Sequence, residues 1–79
     1  MPDLAIEVKS PDDSNTELRE KALFYLKNGT RVVILAFPAQ RRLEIYSEAA
    51  VETLNINDTF DGSDVLPDFS LAVRDIFAD

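Results

Sequence analysis

The sequence predicts an α/β domain with a mixed sheet, built on a strand–helix–strand unit. Three observations carry this: an opening ribbon of alternating apolar residues, a capped stretch of helical period, and a continuous apolar run behind it. Shorter alternating segments follow, so antiparallel strands are expected beside the parallel pair.

The ribbon runs from Pro2 to Pro11. Side chains alternate along a strand, so Leu4, Ile6 and Val8 point one way and Asp3, Ala5, Glu7 and Lys9 the other. The first set is expected to face a core and the second to be wet. Glu7 and Lys9 on one face suit metal-dependent phosphodiester hydrolysis. The carboxylate would hold a divalent cation, and the ammonium would steady the attacking water or the phosphate charge. The same pair also fits the solvated side of an edge strand, where charges discourage aggregation. On spacing alone the edge-strand reading leads, because Glu-x-Lys is a common tripeptide.

Asp12-Asp13-Ser14-Asn15 reads as a turn, rich in residues that bond their own backbone. Ser14 with Glu17 three residues later forms a capping box, which predicts a helix over about residues 15–28. Leu18, Ala22, Tyr25 and Leu26 recur at the spacing of a buried stripe, which Leu23 and Phe24 are expected to broaden. Lys27 suits the last turn, and Gly29 supplies a left-handed stop. Lys21 lies on the flank of the stripe, where an i,i+4 pair with Glu17 is the plain expectation.

Thr30 to Phe37 is apolar enough to be covered on both faces, and a strand reached through a helix pairs parallel with the first. Pro38 to Arg41 makes a turn, and Arg42 to Tyr46 alternates as a half-exposed hairpin partner would. Arg41 and Arg42 read as solvated turn charges rather than phosphate clamps. Ser47 to Ala50 reads as a turn and Val51 to Ile56 as a strand, with Asn57-Asp58 and Asp61-Gly62 as further turn signals. Asp58, Asp61 and Asp64 lack the 12-residue loop of a calcium-binding EF-hand, so a solvated acidic loop is expected. Leu66-Pro67-Asp68-Phe69 should anchor the chain on the core. Ser70 is then placed to cap a final helix, Leu71 to Phe77, presenting Leu71, Val73, Ile76 and Phe77 to the sheet.

With 79 residues the chain is read as a single domain, 1–79, of modest stability. It holds no cysteine, which excludes disulfides and thiolate metal sites, and no histidine, which excludes imidazole zinc sites and triads with a histidine base. No apolar run approaches the roughly 18 residues a membrane span needs, so a soluble cytoplasmic protein is expected. Fifteen acids against 8 bases leave a net charge of −7. That balance counts against autonomous binding to a polyanion.

Pro2-Asp3-Leu4, Glu7-Val8-Lys9-Ser10-Pro11, Glu20-Lys21, Tyr25, Gly29, Val32-Val33-Ile34-Leu35, Leu66-Pro67-x-Phe69 and Ile76-Phe77, in that order, resemble the Uma-type restriction endonucleases, a branch of the PD-(D/E)XK nuclease superfamily. The resemblance runs from one end of the chain to the other and corresponds to the C-terminal half of that family's domain. It implies a restriction-endonuclease-like core, truncated at its N-terminal half, that cuts DNA by metal-activated water with Mg²⁺ or Mn²⁺. It further implies Glu7 as metal ligand, Lys9 as the water-orienting or electrostatic group, and Lys21 as an auxiliary cation. Asp3 is implied as a further acid toward the metal, at the head of the strand.

In such relatives an upstream Pro-Asp shares the metal with the glutamate, and Phe37 stands where they carry another acid. Here Met1 directly precedes Pro2, so half a site is expected. Asp3 substitutes poorly for the upstream acid. Four residues of strand place it roughly 13 Å from Glu7, whereas each ligand oxygen must come within about 2.1 Å of Mg²⁺. DNA is the implied partner, with the missing half or another subunit supplying the positive field. The alternative expectation is a non-catalytic remnant or protein-interaction module of the same fold, forming a homodimer through the open edge of the first strand.

Overall fold

A computed structural model of the chain describes residues 1–65 and 67–77. Strand β1 (Leu4–Val8) leads through helix α1 (Asn15–Lys27) to β2 (Val32–Phe37), and the two strands run parallel with Glu7 opposite Leu35. A single 3₁₀ turn at Pro38–Gln40 reverses the chain into β3 (Arg42–Ser47), which is followed by β4 (Val51–Leu54). Both pair antiparallel with the strand before them, giving one mixed sheet in the order β1-β2-β3-β4. A separate ribbon pairs β5 (Thr59–Asp61) with β6 (Ser70–Ala72), and a short helix α2 (Val73–Ile76) follows. Among the described residues no helix is long and apolar enough to cross a membrane.

Local chemistry sets the strand–helix–strand unit. Asp13 Oδ2 accepts the backbone N–H and the hydroxyl of Ser10, each at 3.0 Å, which tightens the turn after β1. Those bonds favour the charged form and hold the Asp13 carboxyl below its usual value. Ser14 Oγ accepts from the Glu17 N–H at 3.0 Å while the Glu17 carboxylate accepts from the Ser14 N–H at 3.3 Å, so the capping box closes. Gly29, at φ +103°, turns the chain out of α1.

The sheet is sandwiched between two apolar clusters. On one face α1 lays Leu18 and Ala22 over Ala5, Val33, Leu35, Phe37 and Tyr46. On the other, Val73 joins Val32, Ile34, Ala36, Leu43 and Ile45, with Leu4, Phe60, Leu71, Ile76 and Phe77 packed against them. Strand β2 is buried at all six positions, as its unbroken apolar run requires.

Five expectations are corrected. Leu4 is half-buried, but Ile6 and Val8 are 52% and 58% exposed, while Ala5 is the buried residue of β1. Helix α1 packs against the Ala5–Glu7 side, and the apolar layer on the opposite side reaches β1 only at Leu4. Leu23 and Phe24 are also exposed: at 100° per residue they fall outside the arc that Leu18 and Ala22 bury. Strand β3 is covered on both faces rather than half-exposed, and Glu44 on it is buried. Residues 59–61 and 70–72 pair as strands where turns and a helix were expected. Ser70 caps nothing, and α2 begins at Val73 behind Ala72. Gly62 permits the ribbon: it donates to the Phe69 carbonyl at 2.9 Å, and a Cβ there would collide with the Phe69 ring. Leu66, expected to anchor this segment, lies outside the described residues.

Candidate active site

Parallel pairing of β1 with β2, and the packing of α1 over both, bring the strand carboxylate Glu7 against one face of the helix. Lys21 and Tyr25 stand one helical turn apart and both reach it. Lys21 Nζ lies 2.9 Å from Glu7 Oε1, and the Tyr25 hydroxyl donates to the same oxygen at 3.3 Å. Glu7 is partly withdrawn from water, its side chain 24% exposed, whereas Lys21 stays 55% exposed. The hydrogen bond to Glu7 and its charge raise the Lys21 pKa above the ordinary lysine value, so the ammonium persists throughout the neutral range. The carboxylate is therefore held in place from the helix, with a cation beside it.

The other candidates fall differently. Lys9 extends from the strand on the same side as Glu7, and its ammonium donates to the Ser10 carbonyl at 3.4 Å. The Asp3 carbonyl accepts the N–H groups of Arg31 and Val32, each at 3.1 Å, which fixes the start of the parallel pair. The Asp3 side chain is on the exposed rim, four strand residues from Glu7. Among the described residues no group of three or more acids stands close enough to hold a metal ion. Glu7 thus offers one carboxylate, and the residues described fall short of a complete ligand set for Mg²⁺.

A second polar constellation lies two strands away; of its residues Arg42 was expected in solvent as a turn charge, whereas it stands on β3 with its side chain 29% exposed. Glu44 stands in the same cross-strand row as Glu7 and Leu35, facing α1. It accepts from Arg19 Nε at 3.0 Å and Arg19 Nη2 at 2.6 Å, and from the Tyr46 hydroxyl at 3.0 Å. Arg42 Nη2 approaches Glu44 Oε2 to 3.7 Å. Both guanidinium groups lie over the ring of the fully buried Phe37, Arg42 at 4.9 Å and Arg19 at 5.8 Å from its centroid. The one available signal was the alternation that puts Arg42, Glu44 and Tyr46 on a single face, since its partner Arg19 is remote in sequence. A cleft of about 520 Å³ opens at the opposite end of the sheet, between Arg31, Ser47, Glu52 and Asp61, and touches none of these residues.

The model of the Uma2 family, described as "Putative restriction endonuclease", matches residues 1–74. Among solved structures, that of "a putative nuclease belonging to DUF820" from Anabaena variabilis ATCC 29413 superimposes with a TM-score of 0.86 at 26% sequence identity. The match covers 98% of this chain and 44% of that one, so the chain spans less than half the length of that nuclease. No curated protein matches.

Proposed function

We infer that this chain, which belongs to the Uma2 family of restriction-endonuclease type, carries the glutamate–lysine part of a metal-dependent DNA nuclease site. The observation that carries the reading is Glu7, gripped on β1 by Lys21 and Tyr25 from α1. A carboxylate restrained on a rigid strand is what a hard cation needs, and Mg²⁺ is commonly bound by one or two carboxylates together with substrate phosphate and water. A second acid, from polypeptide beyond the described residues or from another molecule, completes the set. The metal, Mg²⁺ or Mn²⁺, supplies polarisation of the phosphoryl group and an acidified water.

This chain's own residues do the rest. Tyr25 fixes the Glu7 carboxylate through Oε1, and Lys21 keeps a positive charge where negative charge develops on phosphorus-bound oxygen. Lys9, free to turn from its weak bond to the Ser10 carbonyl, serves as a second such cation. The experiment compares wild type with Glu7→Gln in Mn²⁺, reading both plasmid nicking and Mn²⁺ binding in the presence of an oligonucleotide. Glu7→Gln is expected to slow nicking at least about a hundredfold and to weaken Mn²⁺ binding about tenfold. Indistinguishable values for the two proteins on both readouts would sink the proposal.

A second reading rests on its own observation. Strand β1 borders the sheet, its outer edge unpaired among the described residues, with Ile6 and Val8 exposed beside it. An open apolar edge invites pairing with a second copy. On that reading light scattering returns a dimer that Ile6→Lys converts to monomer. A wild-type monomer at high micromolar concentration would exclude it.

A further inference from the structure

We propose that Arg42, with Arg19 beside it, binds a phosphodiester group of the substrate strand two sheet positions away from Glu7. The substrate class rests on the nuclease reading above; the phosphate site rests on geometry of its own.

Glu7, Leu35 and Glu44 share a cross-strand row, so the two glutamates stand two inter-strand spacings apart, roughly 10 Å. The next row places Phe37 opposite Arg42. Lys9 continues β1 alongside, its N–H donating to the Ala36 carbonyl at 2.9 Å. Lys9, Arg19, Lys21 and Arg42, four of the chain's eight bases, therefore converge on one end of the face that α1 covers. Acids stand among them: Glu7, Asp13, Glu17 and Glu20 around Lys21, and Glu44 under the arginines.

Arg42 is the less committed of the two arginines. Arg19 is committed to Glu44 through two hydrogen bonds. Arg42 reaches the same carboxylate only at 3.7 Å, beyond hydrogen-bond length. Its Nε is buried without a partner, and among the described residues its guanidinium donates no hydrogen bond. An arginine serving only to brace the sheet would spend its donors on Glu44. Instead the guanidinium lies over the Phe37 ring with its side chain 29% exposed. Stacking holds a planar fork of donors in one orientation, the form in which arginine recognises phosphate. Glu44 gathers the two cations without neutralising both.

The test is an NMR titration of the chain with hexathymidylate at low salt and without metal, with inorganic phosphate in a parallel arm. Amides of Phe37, Arg42 and their neighbours are expected to shift most. Arg42→Gln is expected to weaken oligonucleotide binding about tenfold and to lower the salt slope by about one. Phosphate should move the same amides only at much higher concentration. Unchanged affinity in a folded Arg42→Gln, binding no tighter than that of phosphate, or no binding at all would each overturn the inference. Should Arg42→Gln fail to fold, Arg42→Lys decides, since it keeps the charge and loses the fork; affinity equal to wild type then overturns the inference. No metal or cleavage enters this measurement. Nicking that ignores Glu7→Gln, together with oligonucleotide binding that needs Arg42, would remove the nuclease reading and leave the phosphate site standing.

Discussion

Glu44→Ala is expected to destabilise the domain by about 2–4 kcal/mol at neutral pH, a large share of what a chain this short possesses. Glu44 is 6% exposed and accepts three hydrogen bonds, two from Arg19 and one from Tyr46. Its removal leaves the hydroxyl of the buried Tyr46 without an acceptor, which alone costs about 1–3 kcal/mol. Breaking a fully buried pair would add more, but Arg19 is 42% exposed and can turn into water, so the upper range is discounted. The effect depends on pH with a defined sign. The hydrogen bond from Arg19, against the opposing effect of burial, holds the Glu44 carboxyl below its usual value. The stabilisation is therefore complete above the ordinary glutamate value of about 4.3 and is lost as pH falls through the lower folded value. Tyr46 behaves oppositely. Burial first, then its bond to Glu44, raises its pKa, so its contribution holds below the ordinary tyrosine value of about 10 and fades as pH climbs through the raised one. Urea denaturation of wild type and Glu44→Gln checks the acid limb: the gap between them should close on acidification. A gap that stays constant from pH 7 to pH 3 would show that the charge on Glu44 contributes nothing.

What the sequence made legible follows the range over which each residue acts. Ser14, Glu17 and Gly29 work on backbone within a turn of themselves, and both ends of α1 lie where those residues place them. The apolar run of β2 specifies burial on two faces whatever covers it. The ordered family residues as far as Phe69 fall within the residues 1–74 that the family model matches. Period-two alternation, by contrast, says which residues of β1 share a side and not which side the helix takes. The small Ala5 lets α1 settle on the side that also bears Glu7. Glu44 was hidden because its partner Arg19 lies 25 residues away, a contact no local pattern encodes. At the candidate site the strand position of Glu7 was visible, as was Lys21 through the family resemblance. Tyr25 read as core, and its bond to Glu7 emerges only once the helix is docked.

Phe37→Ala is expected to cost about 3–5 kcal/mol, the usual loss for a phenylalanine removed from a packed core. A domain of 79 residues holds roughly 4–12 kcal/mol in total. The variant should therefore unfold at a much lower urea concentration, with an unchanged m-value if it remains two-state. Phe37 is fully buried at the end of β2, against the α1-side cluster on one side and under the guanidiniums of Arg19 and Arg42 on the other. Two contributions are thus combined, and Phe37→Leu separates them. Leucine retains much of the apolar volume but has no π face, so it forfeits the cation–ring contacts, about 0.5–1 kcal/mol each at partly exposed sites, plus a small packing deficit. A leucine variant about 1–2 kcal/mol less stable than wild type, well short of the alanine loss, would show the ring acting as a platform as well as a plug. With the platform gone Arg42 has no surface to lie against, and its amide shifts on adding oligonucleotide should shrink although the fold persists. Wild-type stability and wild-type shifts in Phe37→Leu would mean that Glu44 alone holds the guanidiniums, and that the aromatic ring is there only to fill space.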